Sequence, residues 1–183
     1  MVILASASPR RKELLRQIFP QYEIIPALGK EMADKTLPPK DYVASLAEQK
    51  CEEVFSSHPD CLVIGCDTIV VFNGKILGKP QDKEEAVKML NLLSGRKHQV
   101  ITGVTVLSKE REETFAAVSH VTIAPLSEKE IDYYIEKYQP YDKAGAYGIQ
   151  EWIGMIGVTE IEGSFFNVMG LPVQRLYSLL KTF

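Results

Sequence analysis

Asp67 is the sole charge in the twelve residues from Cys61 to Phe72, a run that is otherwise apolar. A carboxylate in such a run gives up hydration worth several kcal/mol unless a cation, a metal or a set of hydrogen-bond donors meets it. It is therefore either an acid with work to do or an Asp in a sharp turn between two strands. Lys50 is out of place in the same sense. With Val43, Leu46, Ala47 and Val54 it follows the helical spacing i, i+3, i+4, i+7 and i+11, so an ammonium falls on an apolar stripe. Such a lysine either snorkels to water or projects its charge into an anionic site.

The segment Ser6-Ala7-Ser8-Pro9-Arg10-Arg11 specifies a helix start, with Ser8 suited to the N-cap and Pro9 to the first turn. Arg10, Arg11 and Lys12 then occupy that turn, where the helix dipole disfavours each cation by about 0.3–1 kcal/mol. Free N–H groups, hydroxyls and cations together are what a phosphate site requires; a solvated basic turn has the same residues. Lys79 lies in Gly78-Lys79-Pro80, and the stretch from Gly74 fails as a Walker loop because Pro80 stands where Ser or Thr is needed. Glu31, in a polar stretch, is on its own a loop acid. Asp142 to Gln150 is rich in small residues, which suits close approach to a ligand or to another element.

Elements must bring these residues together. A strand is predicted over 2–5, a helix over 9–19, a short strand over 22–26 and a loop over 29–40. A helix follows from about Asp41 to Phe55, and Cys61 to Phe72 forms two strands, or one bent strand interrupted at Asp67. Asn73-Gly74 signals a hairpin, and Asp82 caps a helix that Ser94-Gly95 ends. Residues 98–107 and 114–124 pair as long strands, Ser127 with Glu130 makes a capping box, and Pro172 opens a last helix. Interleaved strands and helices with two hairpin-like pairs give an α/β fold with a mixed sheet, which binds ligands at strand ends. The histidines read as surface or strand residues, and Tyr133, Tyr134 and Tyr138 as helix packing.

The 183 residues can bury about 70% of their surface, enough for one domain without staples. With 45% hydrophobic and 25% charged residues, disorder and coiled coil are excluded. Net charge is −3, which supplies no field for nucleic acid or an anionic membrane. Three cysteines without a C-x-x-C pair suggest neither a disulfide framework nor a zinc knuckle. No apolar stretch approaches membrane-spanning length, and the N-terminus lacks a signal pattern, so a cytoplasmic protein is expected.

The motifs, in order, resemble those of the Maf family, the septum-formation-inhibitor-like nucleotide pyrophosphatases. The resemblance rests on Leu4 to Leu15, Gly65-Cys66-Asp67-Thr68, Leu77-Gly78-Lys79-Pro80, His98 to Val104, Lys143 to Gln150, Gly163-Ser164 and Gly170-Leu171-Pro172, and so spans nearly the whole chain as one Maf-like domain, 1–183. It implies a two-lobed, ITPase-like α/β fold with a cleft, a homodimer, and hydrolysis of nucleoside triphosphates to monophosphate and pyrophosphate with a divalent cation, Mg²⁺ or Mn²⁺. By motif match Asp67 is the catalytic acid/base position, with Glu31, Lys50 and Lys79 around it. Arg11, Thr68 and Gln150 match the members acting on dTTP and UTP. Cys51 and Cys66 depart from the family's usual alanine.

On that resemblance, Ser6, Ser8, Arg10 and Arg11 hold phosphate oxygens, and Asp67 with Glu31 ligates the cation and orients or deprotonates water. Thr68 and Gln150 pair with a pyrimidine edge, of dTTP and UTP or of modified pyrimidine nucleotides. A non-enzymatic nucleotide-binding regulator of cell division, suggested by the family's name, stands as the alternative. It needs neither a metal nor an acid-plus-lysine set.

Overall fold

The structure, a computed structural model, describes residues 1–183. In chain order it comprises β1 (Val2–Leu4), α1 (Pro9–Ile18), β2 (Glu23–Ile24), α2 (Pro39–Ser57), β3 (Leu62–Phe72), β4 (Lys75–Leu77) and α3 (Lys83–Leu93). Then follow β5 (Lys97–Leu107), β6 (Glu112–Ile123), α4 (Glu128–Tyr138), α5 (Trp152–Gly157), β7 (Val158–Glu162), α6 (Phe165–Met169) and α7 (Val173–Leu180). One sheet takes all seven strands in the order β2-β1-β3-β5-β6-β7, with β4 paired to β3. β1 is parallel to both neighbours, while β3–β4 and β6–β7 are antiparallel, so the mixed sheet expected from the alternation is present.

The chain forms two compact units. The first holds Met1–Thr68, Ile101–Ala117 and Phe166–Phe183; the second holds Ile69–Val100 and Val118–Phe165. In the first, strand alternation sends side chains to two apolar layers. Leu4, Ile64 and Cys66 join Leu14 and Leu15 of α1, Leu176 of α7 and Leu171 from the connection before α7 on one face. Ile3, Ala5 and Val63 join Cys51 and Val54 of α2 on the other. Burial on both faces is the reason the β3 sequence is almost continuously apolar.

Two glycines let α2 lie directly on this sheet. A Cβ at Gly65 would meet the Ala47 carbonyl oxygen at 2.4 Å, and one at Gly103 would meet the Val43 oxygen at the same distance. In the second unit α3 is capped by Asp82, whose carboxylate accepts from the Glu85 N–H, and α4 by the Ser127–Glu130 box. Asn73 and Gly74 both have positive φ, as the hairpin signal required.

The sequence-based boundaries shift in places. α2 starts at Pro39 and ends at Ser57, two residues beyond the expected limits at each end. β3 is one unbroken strand, which removes the sharp-turn explanation of Asp67. The α5, β7 and α6 segments, together with a one-turn helix at Ala144–Ala146, were not legible as elements. No helix is long and apolar enough to cross a membrane.

Candidate active site

Helix α2 places its lysine by packing. Val43, Leu46, Ala47, Cys51 and Val54 are buried, and Lys50 shares their side of the helix. Its Nζ bonds Asp67 Oδ1 and lies 3.0 Å from Glu31 Oε1. The Lys50 and Asp67 side chains are 20% and 17% exposed, whereas Glu31 is 54% exposed, so the set runs from a sheltered strand outward to solvent. Burial pushes the Lys50 ammonium down, and the adjacent charges of Asp67 and Glu31 more than reverse this, holding it protonated above the ordinary lysine range. Burial and the same two carboxylates raise the Tyr42 phenol.

Glu31 lies in a loop without regular structure, yet its backbone is held. Gln49 Oε1 accepts from the Met32 N–H at 3.0 Å and Gln49 Nε2 donates to the Lys30 carbonyl at 3.1 Å, gripping the chain on both sides of Glu31. One turn further along α2, the Glu53 carboxylate accepts from the N–H groups of Leu28 and Gly29 at 2.7 and 3.0 Å. Residues 49, 50 and 53 of a single helix thus fix the acid loop. Neither Gln49 nor Glu53 was recognisable from sequence; their proximity to Lys50 on α2 was the available signal.

The start of α1 differs from expectation in detail. Ser8 occupies the N-cap position but makes no side-chain cap, and its N–H donates to Ser6 Oγ at 3.3 Å instead. No acid occupies the first turn. Arg10 is half-buried and engaged within the chain. Arg11 turns inward. Its Nε donates to the Gly170 carbonyl, Nη1 to Ser6 Oγ and the Cys66 carbonyl, and Nη2 to Thr68 Oγ1, at 2.9–3.2 Å. Four of the five guanidinium N–H groups are thereby committed to protein oxygens. The Cys66 carbonyl lies beyond the last β1–β3 partner pair, Leu4 and Ile64, and Arg11 satisfies it.

The two remaining candidates belong to the second unit. Lys79, after β4, is exposed and unpaired, and the turn before it is pinned by the Gly145 N–H donating to the Gly78 carbonyl at 3.0 Å. Gln150 is exposed, and its amide makes no hydrogen bond within the chain. Its loop is braced from below. Lys143, 9% exposed, pairs with Asp142 at 2.7 Å and Glu151 at 3.1 Å, and Glu151 also accepts from the Tyr134 hydroxyl. Tyr134 is fully buried, and its oxygen accepts the Gly148 N–H at 3.0 Å, so it holds this loop as well as packing. Burial and the Glu151 contact push its phenol up strongly.

Asp67 and Glu31 are two carboxylates on one cation, and no cluster of three His, Cys, Asp or Glu side chains occurs. That donor set fits a hard divalent cation of the Mg²⁺ kind, which keeps several waters and takes one or two carboxylates together with substrate phosphates. It does not fit a closed zinc site.

A family model described as Maf-like protein matches residues 1–183. The chain belongs to the Maf family. Among its Maf relatives, a dTTP/UTP pyrophosphatase of Phocaeicola vulgatus is 51% identical over 183 residues, covering 98% of this chain and 94% of the relative. A dTTP/UTP pyrophosphatase of Bacillus velezensis is 50% identical over 182 residues, covering 100% and 96%. Among solved structures, the Staphylococcus aureus Ham1 protein aligns with TM-score 0.54 at 19% identity, covering 99% of this chain and 98% of that one. A HAM1 protein from Coxiella burnetii aligns at TM-score 0.55 and 13% identity, covering 100% and 98%. At those identities the likeness is one of fold alone, and it agrees with the expected mixed α/β architecture.

Proposed function

We propose that this Maf protein is a metal-dependent nucleoside triphosphate pyrophosphatase that hydrolyses dTTP and UTP to the monophosphate and pyrophosphate, a house-cleaning role in the nucleotide pool. The observation that carries the reading is the Asp67–Lys50–Glu31 set, a sheltered strand carboxylate and a loop carboxylate joined by one ammonium. Relatives of about half-identical sequence bear that activity in their names.

In this reading water attacks the α-phosphorus, the bond to the α–β bridging oxygen breaks, and pyrophosphate leaves with the electron pair. Asp67 takes the proton from the attacking water. A divalent cation, Mg²⁺ or Mn²⁺, held by Asp67 and Glu31, would neutralise phosphate charge and polarise the reacting centre. The Lys50 ammonium pairs with both carboxylates and, with that of Lys79, opposes the charge that develops on the leaving group. Ser6, Ser8, Arg10 and the N–H groups at the start of α1 receive phosphate oxygens. Arg11 serves by holding Thr68, and Thr68 and Gln150 read the pyrimidine edge. The same reading takes the protein as a cytoplasmic homodimer that binds no nucleic acid.

Product analysis tests it. Purified protein with Mg²⁺ or Mn²⁺ and a nucleotide panel is run beside Asp67→Asn. Monophosphate and pyrophosphate from dTTP and UTP, lost in the variant, is the expected result. Diphosphate with inorganic phosphate places cleavage at the wrong bond, and binding without turnover returns the non-catalytic regulator.

A further inference from the structure

The hydroxyl of Thr68 sits in a chain of hydrogen bonds whose direction can be fixed by counting donors. Thr102 Oγ1 lies 3.2 Å from the Asn167 backbone carbonyl oxygen, an atom that only accepts, so the single Thr102 hydroxyl hydrogen goes there. Thr102 Oγ1 is also 2.9 Å from Thr68 Oγ1. With its own hydrogen committed, Thr102 is the acceptor in that contact, and Thr68 donates. Arg11 Nη2 in turn donates to Thr68 Oγ1 at 2.9 Å. The Thr68 oxygen has thus given its hydrogen away and used one lone pair. One acceptor site remains.

The surroundings hold this arrangement. Thr102 and Asn167 are fully buried, so neither can turn to water for another partner. The opposite end is fixed by Arg11, whose Nε and Nη1 are bound to the Gly170 and Cys66 carbonyls. Gly170, at φ +114, presents no side chain here; a Cβ at that position would lie 3.5 Å from Thr68 Oγ1. A hydroxyl that ordinarily rotates to suit its ligand has therefore lost that freedom.

We infer that Thr102 is a positioning residue that makes Thr68 an acceptor-only contact, and that this polarity selects uracil and thymine, which carry N3–H, over cytosine, whose N3 is itself an acceptor. The inference rests on the reading of Thr68 as a base contact given above and supplies the missing direction of that contact. Against N3–H the Thr68 lone pair completes a hydrogen bond, and the amide of Gln150 is left for a base carbonyl. Against cytosine N3 two acceptors face each other, and a polar group goes unpaired in the complex, the situation that gives hydrogen-bonding sites their large discrimination.

The test compares kcat/KM for UTP and CTP in the wild-type protein and in Thr102→Val, Thr102→Ser and Thr68→Val. Thr102→Val keeps the shape but removes the acceptor that takes the Thr68 hydrogen, so Thr68 can present a donor. The expected result is a rise in kcat/KM for CTP and a UTP:CTP ratio smaller by about tenfold or more, with Thr102→Ser restoring the wild-type ratio. A general loss of packing would lower both substrates together. If the ratio in Thr102→Val stays within about twofold of wild type while Thr68→Val collapses it, the inference is overturned and the base-contact role of Thr68 stands. If wild type shows no preference for UTP, or Thr68→Val leaves the ratio unchanged, the base-contact reading itself fails. A second measurement needs no variant. 3-Methyl-UTP, which lacks N3–H, should be turned over by the wild-type protein no better than CTP, and turnover equal to that of UTP overturns the assignment.

Discussion

Asp67 and Thr68 are neighbours on β3 whose side chains leave opposite faces of the sheet, Asp67 to Lys50 on α2 and Thr68 to Arg11 on α1. A strand's two-residue period forces that divergence. One peptide unit therefore carries the proposed proton acceptor on one face and the proposed base contact on the other. A slip of one residue in the β3 register would exchange them, and the parallel pairing of Val2, Ile3 and Leu4 with Leu62, Val63 and Ile64 fixes that register.

Because the Lys50 ammonium joins Asp67 and Glu31 at the proposed reacting centre, Lys50→Met should lower kcat for UTP by about a hundredfold, a loss expected of a group that opposes transition-state charge. The pair also has a pH signature. The Lys50 pKa is raised above its ordinary 10.5, so its stabilising contribution is complete below that value and is lost as pH climbs through the higher, folded one. The Tm difference between wild type and Lys50→Met should hold steady through neutral pH and shrink on the alkaline side, as followed by circular dichroism. A difference that does not shrink on the alkaline side would contradict this.

Gly65→Ala probes the packing that brings α2 to β3. Its Cβ would meet the Ala47 carbonyl oxygen at 2.4 Å and Cys51 Cβ at 2.8 Å, and backbone cannot yield as a flexible side-chain end can. The cost should reach about 1–3 kcal/mol, as overpacked cores commonly show, and the helix must back away from the sheet. Activity should fall further than stability, because Lys50 and Asp67 sit on the two elements that the added methyl forces apart. Chemical denaturation beside steady-state kinetics measures both.

Helices α3 and α4 and their caps were legible because apolar period and capping chemistry agreed there, whereas β3 was legible as an apolar run but not as one unbroken strand. Asp67 and Lys50 were legible as misfits, since each broke an apolar pattern and only a partner across space could explain it. Gln49, Thr102 and Glu151 broke nothing. A glutamine on a helix, a threonine in a strand and a glutamate at a loop end suit their local settings, and their roles arise from contacts 17 or more residues distant in sequence. Segments 152–169 were opaque for another reason. α5, β7 and α6 are five or six residues each, too short to display a period.

His98 gives the fold an acid limit. It is 3% exposed in β5, its Nε2 lies 2.6 Å from the Tyr147 hydroxyl, and Nδ1 has no partner. Burial pushes its pKa from 6.5 down to about 4. The unfolded chain binds the proton first, so stability falls as pH drops from about 6.5 toward 4, by roughly 3 kcal/mol in all at 1.36 kcal/mol per pKa unit. His98→Gln, which cannot take up a proton when unfolded, should flatten that limb of the Tm–pH curve. An unchanged limb would assign the acid sensitivity to other groups.

Gln49→Ala separates the position of Glu31 from its charge. The side chain grips the Lys30 carbonyl and the Met32 N–H, both exposed, so losing it should cost under about 1 kcal/mol of stability. Glu31 itself stays present, but its loop gains freedom about the remaining Glu53 contact. A carboxylate that must be ordered at the moment of metal binding loses affinity through that entropy. The Mg²⁺ concentration giving half-maximal rate should therefore rise several-fold while kcat at saturating Mg²⁺ stays near wild type. Glu31→Gln should fail to recover at any Mg²⁺ concentration, since it removes the charge. Identical Mg²⁺ titrations for Gln49→Ala and wild type would show that the loop is held well enough without the clasp, and that Glu53 alone sets the place of the acid.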